Sequence, residues 1–252
     1  MSETLGQAKY VYAFIREKED CRLPQAGLNQ QDAYGISKNG LQAVVSDVPN
    51  KRVRPERRNI AAHQAVLRQL VDMEVSPLPV SFGIIADDLE AVEHILDTYS
   101  ETLSENLDYV HGKVEMGLRV TWDVPNIFEY FVQTHPELRQ VRDRVFGRHR
   151  EPTHDEMIEI GRMFDHCLQE DRETHTSQVE DILEAYCLEI RRNKCPKESD
   201  VMNLACLVNR KDLKAFEQGI FEAAELFDNS FTFDYNGPWA PHNFVNLELT
   251  LS

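Results

Sequence analysis

The sequence predicts an α+β fold of two domains, an N-terminal α+β domain over residues 1–111 and a distorted ferredoxin-like domain over 112–236, with a C-terminal tail, 237–252, packed back on the body. Three observations predict it. Short β-type runs alternate with stretches of helical spacing throughout the chain. After Gly112 a long alternating run, Lys113 to Trp122, restarts the pattern as a new sheet would. Near the end, Phe231 to Phe244 carries the aromatics Phe231, Phe233, Tyr235, Trp239 and Phe244, large apolar side chains of the kind that close a core.

In chain order, Tyr10-Val-Tyr-Ala-Phe-Ile15 is apolar throughout and reads as an interior strand. Glu17 to Gln31 is polar, with Gly27, and connects. Ala33–Ser37 and Leu41–Val48 flank Lys38-Asn39-Gly40, and Asn-Gly between apolar runs signals a hairpin. Pro49 ends the second strand. Pro55 precedes a helix whose apolar positions include Ile60, His63, Val66, Leu67, Leu70 and Val71. Ser76 to Gly83 is short and proline-rich, hence an edge or bulged strand. Ala86 to His111 returns to helical spacing from Leu89 to Val110, opened by Asp87-Asp88 as cap residues.

In the second half, Val114, Met116, Leu118, Val120 and Trp122 alternate along one strand. Pro125 opens a helix holding Phe128 and Phe131, and Pro136 restarts it through Leu138, Val141 and Val145. Met157–Leu168 and Val179–Ile190 are apolar-striped segments separated by the polar stretch Gln169 to Gln178. Either one long helix projects its middle turns into water, or two helices meet near Thr176. The capping-box pattern Ser177-Gln-Val-Glu180 favours the break. Met202–Val208 reads as a strand and Asp212–Phe227 as a helix. Phe231, Phe233 and Tyr235 alternate with polar residues along a strand that Gly237-Pro238 should stop, leaving Trp239-Ala-Pro241 as a stiff crossing segment. Val245 to Leu251 alternates again, as a last edge strand would.

Composition narrows the functional classes. The 252 residues are 42% hydrophobic and 28% charged, as in ordinary globular proteins. No window approaches the ~20 apolar residues of a membrane-spanning helix, and Met-Ser-Glu-Thr-Leu-Gly-Gln is no signal peptide, so a cytoplasmic location is expected. Five cysteines without a Cys-x-x-Cys pair indicate free thiols. Net charge is −16, with 22 acids and 18 bases in residues 1–150 against 21 and 9 in 151–252. Such a field repels phosphate backbones and argues against nucleic acid as partner. Lys51 to Arg58 packs five bases into eight residues, a solvated loop or a face for an acidic partner.

No phosphate loop, nucleophile elbow or Cys/His nucleophile signature is present, so no catalytic residue and no cofactor site is assigned. The one grouping with metal-type side chains is His149, His154, Asp165, His166, Cys167, Glu170, Asp171 and His175. On a helix, Cys167, Asp171 and His175 fall at i, i+4 and i+8. It motivates a metal-dependent enzyme or ligand sensor as the rival class, against a solvated acidic helix face. His63, on the apolar face of its helix, reads as a core or boundary histidine.

Tyr10–Ile15, Leu41-Gln-Ala-Val-Val-Ser-Asp47, Ala62-His63, Pro77-Leu-Pro-Val-Ser-Phe-Gly83, the strand ending at Trp122, and Asn236-Gly-Pro-Trp-Ala-Pro-His-Asn-Phe-Val245 together resemble the gas vesicle protein F/L family (GvpF/GvpL), over nearly the whole chain. Ala240 and His242 stand where the family pattern has proline and tyrosine. The resemblance implies a mixed α/β N-terminal domain and a modified ferredoxin-like C-terminal domain. It implies a non-enzymatic assembly factor and minor structural protein of the gas vesicle, located there and in the cytoplasm. Its partner would be the small hydrophobic shell protein GvpA, and other gas vesicle proteins besides, with shell-protein aggregation limited during nucleation. Contact could use an exposed edge strand, Pro77–Phe82 or Val245–Leu251, or an aromatic patch formed by Phe233, Tyr235, Trp239 and Phe244.

Overall fold

The computed structural model describes residues 7–18, 21–147 and 150–247. They form an α+β architecture of two compact units. The first comprises Met1–Glu115, Asn209–Lys211 and Gly237–Ser252, the second Met116–Val208 and Asp212–Asn236.

In the first unit the sheet is built around β1 (Gln7–Arg16), with β2 (Arg22–Leu23), β3 (Ala33–Lys38), β4 (Leu41–Pro49), α1 (Arg57–Asp72), β5 (Leu78–Pro79), β6 (Ile85–Ala86), α2 (Leu89–Thr98) and α3 (Ser100–Val110) following. Strand order is β2-β3-β4-β1-β5, with β6 also on β1. Every side chain from Tyr10 to Ile15 is fully buried, as an interior strand requires. The register against β4 shifts between Val11 and Ala13. This bulge at Tyr12 explains how Val11 and Phe14, three apart, join one core with Val92, Leu96, Leu103 and Leu107. The expected hairpin is present: Asn39 (φ 55°) and Gly40 (φ 75°) both take the left-handed conformation that the tight turn between β3 and β4 needs. Asp88 caps α2, its carboxylate accepting the Ala91 N–H at 2.8 Å.

Two expectations need correction here. The stretch 86–111 is two helices, α2 and α3, that meet at Tyr99 (φ −104°, ψ 16°). The bend lets Ile95 and Leu96 from one and Leu103, Leu107 and Val110 from the other reach the same core. The proline-rich strand shrinks to β5, and Ile85–Ala86 adds a second short pairing to β1 after a turn at Gly83 (φ 97°).

The second unit contains β7 (Lys113–Trp122, whose first three residues belong to the first unit), α4 (Ile127–Thr134), α5 (Pro136–Phe146), α6 (His154–Leu183), β8 (Glu189–Arg192), β9 (Asp200–Asn209), α7 (Leu213–Ala224) and β10 (Phe231–Trp239). Strand order is β10-β7-β9-β8, the 4-1-3-2 order of a ferredoxin-like sheet when its strands are counted from β7. A partly buried ion pair ties β7 to β9. Asp200, fully buried, receives a forked pair of hydrogen bonds from Arg119 at 3.1 and 3.2 Å and one from the Lys197 N–H at 2.9 Å.

The break near Thr176 does not occur: α6 runs unbroken over 30 residues. Ser177 and Glu180 do not cap a helix; they lie with Glu173 on one face that Arg192 of β8 ties together, reaching Glu173 at 2.8 Å and Glu180 at 2.7 Å. The capping box is instead at Thr153, whose hydroxyl accepts the Glu156 N–H while the Glu156 carboxylate accepts the Thr153 N–H. Ile190 consequently belongs to β8, paired with Cys206. Strand β10 continues through Gly237 and Pro238 to Trp239. It is an edge strand, where a residue without an N–H is tolerated. In the tail, Val245–Leu247 are not a strand, and 248–251 lie outside the described residues.

His63 is buried at 1% exposure on α1, with Nδ1 2.9 Å from the Tyr10 hydroxyl. Burial is the first cause, with His242 contributing, of a pKa lowered from 6.5 to about 4. Between those values the unfolded chain binds the proton and the folded one does not, so stability rises with pH across that window. The contribution is full above pH 6.5 and is lost as pH falls toward 4, by ~2–4 kcal/mol. In urea unfolding followed at several pH values, His63→Gln is expected to remove this part of the acid slope; an unchanged slope would refute the assignment.

Candidate partner-binding surface

The aromatic face of β10 is turned inward within the second unit. Phe231 meets Trp122, Phe227 and His175 with ring centroids 6.2, 4.9 and 5.2 Å away. Phe233 packs on Phe227 at 5.1 Å and Tyr235 lies 6.1 Å from Phe216 of α7. All three remain half-buried, while Thr232, Asp234 and Asn236 are exposed. An edge strand covered on one face leaves the outer rims of those rings accessible, which is how Phe233 and Tyr235 serve packing and surface together.

The remaining pair belongs to the first unit. Trp239 is half-buried beneath the Arg68 guanidinium, 5.7 Å from the ring centroid. Phe244 is only 4% exposed, beside buried Ala240, and Val245 and Leu247 pack against the core that holds Val11 and Phe14. Between them Asn243 donates to the Glu115 carboxylate through its backbone N–H at 2.8 Å and its amide at 2.7 Å. Phe244 is therefore a packing residue, which corrects its assignment to a partner-facing patch. The outward candidates narrow to Phe233, Tyr235 and Trp239.

Apolar groups missed by the sequence reading are the most exposed ones. On α7, Phe221 is 66% exposed, with Leu226 just beyond the helix at 54%; Phe146, Met157 and Ile158 are exposed at the end of α5 and the start of α6. The signal available was phase: Phe221 falls off the stripe set by Phe216, Ile220 and Ala223. The basic run Lys51–Arg58 lines a hollow of about 760 Å³ in the first unit, with Leu28 and Val53 as apolar wall.

The metal-type grouping does not converge as expected. His149 lies outside the described residues, and His154, Asp165, His166 and Glu170 are exposed. Cys167, Asp171 and His175 share a helix face but not a point. Cys167 Sγ lies 3.6 Å from Glu137 Oε1, Asp171 pairs with His135 at 3.2 Å, and the His175 ring packs among Phe227 and Phe231. Helical spacing brought them to one side; Cys167 and Asp171 face the junction of α4 and α5, while His175 packs on Phe227 and on Phe231 of β10. Among the described residues no helix is long and apolar enough to cross a membrane.

Comparison with known proteins places this geometry in context. The protein family described as "Gas vesicle synthesis protein GvpL/GvpF" matches residues 8–246. The chain is 24% identical to gas vesicle protein F of Nostoc sp. over 96% of its length and 100% of that protein's. It is 27% identical to gas vesicle protein F of a Streptomyces species over 94% and 98%, and 25% identical to gas vesicle protein F2 of Halobacterium salinarum over 95% and 93%. Two crystal structures share the fold: GvpF from Anabaena sp. PCC7120, with TM-score 0.83, 23% identity and coverage of 97% and 100%, and GvpF from Microcystis aeruginosa, with TM-score 0.78, 21% identity and coverage of 95% and 99%. The match runs through both sheets and into the tail, and on it this chain belongs to the GvpL/GvpF family of gas vesicle synthesis proteins.

Proposed function

We propose that the chain is a non-enzymatic accessory and minor structural protein of gas vesicle assembly, which binds the hydrophobic shell protein GvpA in the cytoplasm and limits its aggregation while a vesicle is nucleated. The family match over residues 8–246 carries the reading. The half-buried aromatics on an acidic chain supply its physical content. A shell subunit with a gas-facing apolar surface is prone to aggregate before assembly, and a highly charged partner that covers this surface keeps it dispersed.

Of the two modes of contact, the aromatic one has more support. Strand β5 is two residues long, both buried, and Pro79 offers no N–H, so it is a poor template for strand addition. Phe233 and Tyr235 on β10, and separately Trp239, present rings of the type that dominates protein contacts.

Co-expression with GvpA and co-precipitation, against an unrelated protein of similar acidity, is expected to give specific recovery that persists in 0.5 M salt, at roughly 4 Å screening length. Recovery equal to the control would overturn shell binding and leave other vesicle proteins as partners.

Trp239→Ala is expected to stay folded, with a loss of ~1–2 kcal/mol in stability, and to lower shell-protein recovery ~10-fold or more. A folded mutant that binds normally would remove Trp239 from the contact. Global unfolding would assign it to closure of the first unit.

A further inference from the structure

The junction of α4 and α5 meets α6 at a group of donors of mixed chemistry. Pro136 occupies the first position of α5 and holds His135 in extended geometry (φ −112°, ψ 103°), so His135 and Glu137 flank the start of the helix. On α6, Cys167 and Asp171 lie one turn apart on the facing side. One ligand atom from each of His135, Glu137 and Cys167 comes within 4.8 Å of the others. Asp171 Oδ1 is 3.2 Å from His135 Nε2. A tetrahedral ion with bonds of ~2.0–2.3 Å spaces its ligand atoms ~3.3–3.8 Å apart. A contraction of ~1 Å achieves this for His135, Glu137 and Cys167, with the exposed Glu137 side chain free to turn; Asp171, which does not lie within that spacing of all three, has to turn inward to supply the fourth position.

Hydrogen bonding around His135 adds an independent reason. The imidazole is stacked on Phe131, at 4.9 Å and 10° between planes. Its Nδ1 is 2.9 Å from Thr134 Oγ1, and that hydroxyl donates to the Tyr130 carbonyl at 3.0 Å. Thr134 thus engages Nδ1 and leaves Nε2 as the nitrogen that faces the Asp171 carboxylate, and a histidine oriented through its other nitrogen is the usual outer-shell support of a metal ligand. Burial, followed by the charges of Glu137, Glu170 and Asp171, pushes the Cys167 thiol up to about 11, a negative surrounding that an added cation would reverse.

We propose that His135, Glu137, Cys167 and Asp171 form a structural binding site for a divalent cation of the zinc class, which pins the α4–α5 junction to α6. One nitrogen, one sulfur and two carboxylate oxygens are a donor set suited to Zn²⁺ and poorly suited to Ca²⁺ or Mg²⁺. The site is independent of the aromatic surface and of the shell-binding role.

Full-length protein purified without an affinity tag and treated with chelator is to be titrated with Co²⁺ as an optical stand-in for Zn²⁺. The expected result is one equivalent bound, with a thiolate-to-cobalt charge-transfer band and the visible bands of tetrahedral Co²⁺, all displaced by Zn²⁺. Cys167→Ser is expected to lose the charge-transfer band. Glu137→Gln, an isosteric change at an exposed position, should keep the fold and weaken Co²⁺ binding ~10-fold or more. It therefore decides the matter even where the cysteine variant fails to fold. Absence of the band in the wild type, its survival in Cys167→Ser, or unchanged affinity in Glu137→Gln overturns the proposal and leaves the His135–Asp171 contact as a metal-free side-chain pair.

Discussion

The first unit depends on keeping β1 dry. Six consecutive residues, Tyr10 to Ile15, are fully buried, and two of them carry hydroxyls that cannot be left unpaired at a cost of ~1–3 kcal/mol each. The Tyr10 hydroxyl meets His63 and accepts the Gly83 N–H at 3.1 Å; the Tyr12 hydroxyl donates to Ser46 at 3.0 Å and accepts the Leu28 N–H at 2.8 Å. Each tie fixes a different segment: α1, the turn between β5 and β6, β4, and the connection after β2. The bulge at Tyr12 belongs to the same solution, because it turns both tyrosines toward α1 while Val11 and Phe14 face α2 and α3. A change that wets one face of β1 acts on all of these at once.

Much of this was legible in the residues because it follows from local rules. Asn39-Gly40 fits only a tight hairpin, Asp88 a helix start, Pro136 the first turn of α5, and the apolar run of β1 a strand covered on both faces. What was not legible depended on partners distant in sequence. Strand β8 is four residues with two exposed arginines, and its one apolar residue, Ile190, keeps phase with the preceding helix. Nothing local marks it as a strand. Across the expected break in α6, Thr176 and Val179 are buried and Arg192 pairs with Glu173 and Glu180, and a capping box at Ser177 is the correct local inference from a sequence that hides those distant partners. The bend at Tyr99 likewise answers to the shape of the core and to no breaker residue.

The candidate surface divides in the same way. Alternation along Phe231, Phe233 and Tyr235 gave the inward face correctly, since period two is a property of the strand itself. The fate of Phe244 was hidden, because whether a tail aromatic is covered or faces outward depends on the wall it meets, and that wall is distant in sequence. Exposed Phe221 shows the converse: an aromatic on an amphipathic helix reads as core until its phase is compared with the rest of the stripe. The donor group at His135 escaped for a simpler reason. Cys167 and Glu137 are 30 positions apart, and spacing rules see only one helix at a time.

A protein proposed to hold an apolar subunit in solution has to solve its own aggregation problem first. The exposed apolar side chains of this chain sit among a large excess of acids, and the half carrying β10 and α7 is the more acidic one, with 21 acids against 9 bases from residue 151 onward. Mutual repulsion between copies acts out to about the ~8 Å screening length of physiological salt and is largely screened beyond it, whereas apolar contact acts only on touching. In the proposed role, charge would govern which molecules approach and how many copies accumulate, while aromatic rims would decide what stays bound. On this division of labour the basic hollow of Lys51, Arg52, Arg54 and Arg58 is an exception in sign, confined to the first unit and to one loop and helix start. The acidic field of the second half needs no matching basic surface on the shell protein. In the proposed role it would act as a solubilising coat, and specificity would fall to the short-range contacts that the coat leaves uncovered.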